Sequence, residues 1–196
     1  MPFYIAPGPR GRLRVVSLKR AVLLGAAAPA PGLVSLLLCL AAAPDFSWTT
    51  QALSDLGHSA ESSVAVVFNV GIHASGLLLT VYSALTVAKR FRGTGAFLTM
   101  TGYFMQLVAV LNEAYGRAHT AVSVLFLLSA AAAVLAYAVE GRSRLAAAAL
   151  AVGGASWVPY LSGLLRGPAI PEIVSIILTL AVYLQVLSKL GEEPPL

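Results

Sequence analysis

The chain has 196 residues, of which 58% are apolar and only 11% charged, and its formal net charge is +5. Soluble domains carry roughly 25% charged residues, so this balance excludes an ordinary water-soluble enzyme and fits a chain whose solvent is largely hydrocarbon. The basic residues fall between apolar stretches, which reads as membrane topology and not as a nucleic-acid footprint; the one cysteine, Cys39, excludes an intramolecular disulfide and a thiolate zinc site.

Residues 1–20 carry Arg10, Arg12, Arg14, Lys19 and Arg20 among prolines and glycines and are expected to form a basic cytoplasmic arm. Residues 21–43 hold no charge, and about 20 such residues suffice to cross a bilayer. A cleaved signal is the competing reading, because Ala41-Ala42-Ala43 has the small residues of a cleavage site, but the run exceeds the usual signal core of roughly 7–15 residues. Pro29 and Pro31 predict a kink or an early break in this first span. Residues 44–62 are too polar for lipid and form an outer loop, with Phe46 and Trp48 as interfacial anchors. Within it Ser54-Asp55-Leu56-Gly57 reads as a turn in which Gly57 supplies a positive φ. Ser59 or Ser62 is placed to cap the second helix, with Glu61 favourable near its start.

Further spans are predicted at 63–88, 94–112, 119–139, 145–165 and 173–187, the last of them short for a hydrocarbon core. With six spans and both termini inside, eleven of the thirteen Lys and Arg residues fall on the cytoplasmic side; only Arg117 and Arg166 fall outside. An odd number of spans would scramble that pattern. The expected fold is therefore all-α, a six-span transmembrane bundle over 21–189 in the cell membrane, N-in and C-in, with a tail at 190–196. No internal repeat is visible, which speaks against a transporter built from inverted repeats. Gly71 with Ser75, and Gly95 with Thr99, have the small-xxx-small spacing of closely packed helices and of homo- or hetero-oligomer interfaces. The scarcity of Asn, Gln and Cys is the pattern of a thermophile, although a GC-rich, Ala- and Gly-rich genome gives the same composition.

Polar residues at membrane depth must find a partner or a wet cavity. On the second span Asn69 and His73 belong to one helical stripe, and on the third Tyr103 and Gln106 belong to another. Both stripes are expected to face the bundle interior. Counted from the outer ends at 1.5 Å per residue, Asn69 and Gln106 lie roughly 10 Å deep and His73 and Tyr103 roughly 15 Å deep. Hydrogen bonds Asn69–Gln106 and His73–Tyr103 are the resulting expectation. His73 also raises a haem-ligand reading, against which His119, the other candidate axial ligand, differs in depth by more than about 10 Å. At the outer mouth Asp55, His58, Glu61, Glu113 and His119 gather. Of these, His58, Glu61, Glu113 and His119 are candidate ligands for a divalent cation such as zinc or manganese. Asp55, His58, Glu113 and His119 are candidates for general acid–base work. No compact ligand motif joins them, and a solvated loop with caps and ion pairs accounts for the same residues.

Pro44-Asp45-Phe46-Ser47, Ala52-Leu53-Ser54-Asp55-Leu56-Gly57, Phe68-Asn69-Val70-Gly71 and Ser75-Gly76-Leu77-Leu78 together resemble the signature of the DUF998 family. Gly116-Arg117-Ala118-His119 and Val122-Ser123-Val124-Leu125-Phe126 resemble that family's second marked region. The resemblance implies a small six-span prokaryotic membrane protein, archaeal or bacterial, loosely akin to the Frag1/DRAM/Sfk1 group, with no established activity. Ser54, Asp55, Gly57, Asn69 and His119 match the family pattern, whereas Asn112-Glu113-Ala114 replaces a Phe-Pro-acid segment and His73 lies outside the pattern. The functional expectation is a non-enzymatic lipid-interacting, sensing or assembly component with membrane lipid as partner. Two alternatives are a metal-dependent hydrolase or transferase acting on lipid at the outer face, and a haem, redox or transport protein built around His73.

Overall fold

The computed structural model describes residues 22–192; the expectations for the basic arm at 1–20 and for the end of the tail lie outside them. Among the described residues there are helices and no strands, and four helices are long and apolar enough to cross a membrane. These are α1 (Val22–Ala42), α2 (Ala65–Arg90), α4 (Arg117–Glu140) and α6 (Ala169–Glu192). The predicted third span is α3 (Arg92–Val110), 19 residues long and diluted by Gly and Thr. The predicted fifth is α5 (Arg144–Ser156), followed across Trp157 by a short helical turn, Val158–Leu161, with Pro159 in its first turn. The sixth is longer than the apolar run suggested, at 24 residues. It starts at Ala169 because Pro171 sits in its first turn, where a missing N–H costs nothing.

The prolines break α1 as expected, with a turn at Ala28 and Pro29. Pro29 has no N–H to offer the carbonyl of Gly25 four residues back. That carbonyl instead accepts from Ala28 N–H at 3.1 Å and from the Tyr183 hydroxyl of α6 at 2.9 Å. Past the break, Gly32 N–H donates to the Ser75 hydroxyl of α2 at 2.7 Å. Side chains of neighbouring helices thus satisfy the backbone groups near the break, as a low-dielectric setting requires.

Consecutive helices pack as neighbours, and α4 also meets α6. Their contacts define two ends. At the hinge end a single residue, Phe91, joins α2 to α3, and Glu140 at the close of α4 reaches the start of α3. Ser143, at the start of α5, bonds Gln185 near the end of α6. Lys89, Arg90, Arg92, Arg142, Arg144 and Lys189 collect at this end, leaving only Arg117 and Arg166 of the described Lys and Arg residues at the other. At the loop end lie the segment 43–64, the short helical turn Glu113–Tyr115 and the start of α6.

Large apolar side chains cover the outside, among them Leu24, Leu37, Val66, Val70, Leu128 and Val139. Inside, among the described residues, are two buried clusters. One centres on Val87, Phe91, Tyr137 and Val186 at the hinge end. The other joins Leu36, Cys39, Leu53, Leu56 and Phe68 at the loop end. Between α2 and α3 the backbones approach closely at two places: Gly95 against Ala88, and Gly76 against Gly102, where a Cβ on Gly76 would stand 2.7 Å from the Gly102 carbonyl oxygen.

Candidate functional site: a polar rim over an apolar cavity

The segment 44–62 is tied down along its length. The backbone N–H groups of Arg166 and Gly167 donate to the Thr49 carbonyl at 3.0 and 2.9 Å, and Ala169 N–H donates to the Gln51 carbonyl at 3.0 Å. A 3-10 turn follows, Leu53–Gly57. Asp55 stabilises it by accepting from Ala52 N–H at 3.0 Å, and Ser62 closes it by donating to the Leu56 carbonyl at 2.7 Å. Leu53 and Leu56, both 4% exposed, plug into the loop-end cluster. Gly57 is not a positive-φ residue. Its reason is proximity: a Cβ there would meet Asn69 Oδ1 at 2.6 Å. Asn69 Nδ2 donates to the Gly57 carbonyl at 2.8 Å. Ser62 does not cap α2, which has no side-chain cap.

Three further side chains, from α6 and from the segment between α3 and α4, pin the turn and the residues after it. Glu172 of α6 accepts from Leu53 N–H at 2.7 Å. Glu113 accepts from the Ser54 hydroxyl at 3.1 Å, and Asn112 Oδ1 from Ser59 N–H at 3.4 Å. Glu113 Oε2 also lies 2.7 Å from His119 Nε2. The other ring nitrogen, Nδ1, is 2.8 Å from the Leu111 carbonyl, and the Ser123 hydroxyl is 3.1 Å from Nε2. His119 is 3% exposed. A carbonyl can only accept, so Nδ1 carries a proton, and the short Nε2–Oε2 contact contains a second proton on one partner or the other. This chain, Ser54–Glu113–His119–Leu111, fixes the start of α4 to the loop.

Asp55 sits beside the chain. Burial pushes its carboxyl above the ordinary carboxylate value; the Ala52 N–H opposes that, Glu113 adds to it, and His58 and His119 relieve it. His58 makes no hydrogen bond to His119's network among the described residues, its Nε2 3.9 Å from Glu61 Oε1 and its Nδ1 buried with no partner among them. Among the described residues no three His, Cys, Asp or Glu side chains form a group suited to a metal ion.

Beneath this rim lies a cavity of about 210 Å³, walled by α1, α2, α3, α4 and α6. Its walls are almost wholly apolar, with Leu36, Phe68, Met105, Phe126 and Ile176 among them, and Ser54, Ser123 and Glu172 bring in polar groups. The break in α1 helps to make it, since Ala28, Pro29 and Gly32 line it as well.

The expected interior pairs are not formed. Gln106 Nε2 donates to Thr80 Oγ1 at 3.1 Å and to the Gly102 carbonyl at 3.2 Å, not to Asn69. His73 and Tyr103 are exposed on the outside of the bundle. The reason is register. A one-residue hinge at Phe91 forces residues equally distant from it to face each other, which places Thr80 near Gly102 and Gly76 near Gln106. The depths counted from the loop ends were therefore wrong by about seven residues, or roughly 10 Å. Of the expected mouth residues, Asp55, Glu113 and His119 come together, and His58 lies within electrostatic reach of Asp55 while its ring is 3.9 Å from Glu61. Glu172 and Ser123 were missed; Pro171 signals a helix start that would have placed Glu172 in its first turn.

No curated protein and no solved structure matches the chain. A family profile described as a protein of unknown function (DUF998) matches residues 21–189, and the chain therefore belongs to the DUF998 family.

Proposed function

We propose that this is a six-span protein of the cell membrane, with both termini cytoplasmic, that holds a hydrocarbon chain of a membrane lipid inside its bundle. The carrying observation is the apolar cavity of about 210 Å³ under a hydrogen-bonded polar rim. An engineered apolar cavity of roughly 150 Å³ stays dry and accepts benzene, so this one has room for a substantial segment of an alkyl or isoprenoid chain. The basic residues gathered at the hinge end support the orientation, because cytoplasmic loops carry the excess of Lys and Arg. The networks at the rim are structural in this reading. They hold the loop over the cavity and set its depth.

A lipid hydrolase or transferase is the second reading, and one observation favours it. Ser123 lies on the cavity wall with its hydroxyl 3.1 Å from His119 Nε2, as a nucleophile lies beside its base. Glu113 holds the same nitrogen at 2.7 Å, however, so the hydroxyl has a stronger competitor. Lipid holding is the better supported of the two.

Filling the cavity tests the proposal. Ala130→Phe adds a ring to the cavity wall, whereas Leu128→Phe changes an exposed outer position. Lipid retained through mild-detergent purification, measured by native mass spectrometry, is expected to fall at least about fivefold in Ala130→Phe and to stay unchanged in Leu128→Phe. Equal retention in both variants, with both well folded, would overturn the reading.

A further inference from the structure

We infer that the cavity selects a chain ending in a neutral hydroxyl, a long-chain or isoprenoid alcohol, over the matching carboxylate, phosphate or amine. The inference rests on the reading above, that the cavity holds hydrocarbon. It comes from the chemistry of the polar groups on the cavity wall. Among the described residues Glu172 is the only carboxyl lining the cavity, and no Lys, Arg or His lines it. Among the described residues the carboxyl accepts one hydrogen bond, from Leu53 N–H. A carboxyl group has acceptor capacity for more than one donor, so it can receive an O–H from a ligand.

The neighbours of Glu172 sharpen the choice. Asp55 and Glu113 lie within electrostatic reach of it, so an anionic head brought to this end of the cavity meets like charge. Arg117 and Arg166, the basic residues at this end, are exposed and line none of the cavity. A carboxylate or phosphate would therefore lose its water without gaining a cation, which is costly in a low-dielectric site. An amine would form an ion pair, but each partner would lose its hydration on entering the apolar cavity. A hydroxyl avoids both costs. It donates once to Glu172 and accepts from a serine hydroxyl, and Ser54, Ser123 and Ser175 all line the cavity. Ser54 is committed as a donor to Glu113 and Ser175 receives the Trp157 indole N–H at 3.1 Å, so Ser175 retains a hydroxyl proton to give. One acceptor and one donor on the same helix, three residues apart, match the two hydrogen-bonding faces of an alcohol.

The test uses the full chain in nanodiscs and four photoreactive reagents sharing one diazirine-bearing alkyl chain, ended by methyl, hydroxyl, amine or carboxylate. Labelling of peptides from the cavity wall is quantified by mass spectrometry. The hydroxyl reagent is expected to label at least about tenfold more than the carboxylate, and more than the amine. In Glu172→Gln, which keeps an acceptor for Leu53 N–H, hydroxyl and carboxylate labelling should come within about threefold of each other. Equal labelling by hydroxyl and carboxylate in the unaltered chain would overturn the inference while leaving hydrocarbon binding intact, as would an excess of amine labelling. If not even the methyl-ended reagent labels the cavity wall, the underlying reading falls as well.

Discussion

His119 illustrates how one side chain can serve two segments. Its ring lies in the first turn of α4, where a helix has spare backbone donors, yet it turns away from them. It spans from the Leu111 carbonyl at the end of α3 to the Glu113 carboxylate. Asp55 shows the opposite economy. Its carboxyl supports the turn through Ala52 N–H, but burial and Glu113 favour its protonated form. For an acid whose folded value is raised, the folded state holds the proton longer than the unfolded chain does. Stability then falls as pH rises from the ordinary value of 3.8 through the raised one. Asp55→Asn keeps an oxygen for Ala52 N–H and removes the titration. Thermal unfolding in detergent should show the unaltered chain losing stability relative to Asp55→Asn as pH climbs from below 3.8 to neutrality. A relative gain over that range would mean that the ionised carboxylate is the stabilising form.

Among elements, α3 depends on a neighbour for its start. It lacks a side-chain cap of its own. Glu140 supplies one from the end of α4, accepting from Gly93 N–H at 2.7 Å, Thr94 N–H at 2.9 Å and the Thr94 hydroxyl at 2.7 Å. Glu140→Ala is expected to cost about 1–2 kcal/mol, the upper range for a lost helix cap, with partial recovery in Glu140→Gln, as read by denaturant unfolding in micelles. No loss would show that water replaces the carboxylate there. The existence of the helices was legible in the sequence because apolar runs interrupted by Arg–Lys clusters leave few alternatives, and the break in α1 followed from Pro29 and Pro31. Register was not legible from periodicity, which says which residues share a face and nothing of how far two helices slide. The single residue between α2 and α3 held that information and was the better ruler. At the site, Asp55, Glu113 and His119 could be gathered from topology, but Glu172 lies just outside a sixth span predicted to begin at residue 173, whereas the helix begins at Ala169.

For the whole molecule, the two ends differ in character: basic and tightly hinged at one, acidic and covered by a bound-down loop at the other. Impermeant maleimide on intact cells tests what that difference means. Cysteine at Arg117 should label without lysis, and cysteine at Arg142 only after it, against a low background because Cys39 is 1% exposed. The reverse pattern would invert the topology, and labelling of both positions without lysis would break the six-span count. The hinge at Phe91 has a consequence for how the molecule is made. On the six-span topology α3 is among the less apolar helices, and it follows the strongly apolar α2 after one residue; α5 follows α4 after three, Gly141 to Ser143. A ribosome-bound chain can hardly leave α2 spanning the bilayer and α3 waiting in water with so short a tether. If all six helices span the bilayer, each strong helix must carry its weaker successor into the lipid as a preformed hairpin, insertion then takes four steps, two of them paired, and the seam between α2 and α3 is assembled before α6 needs to be in place.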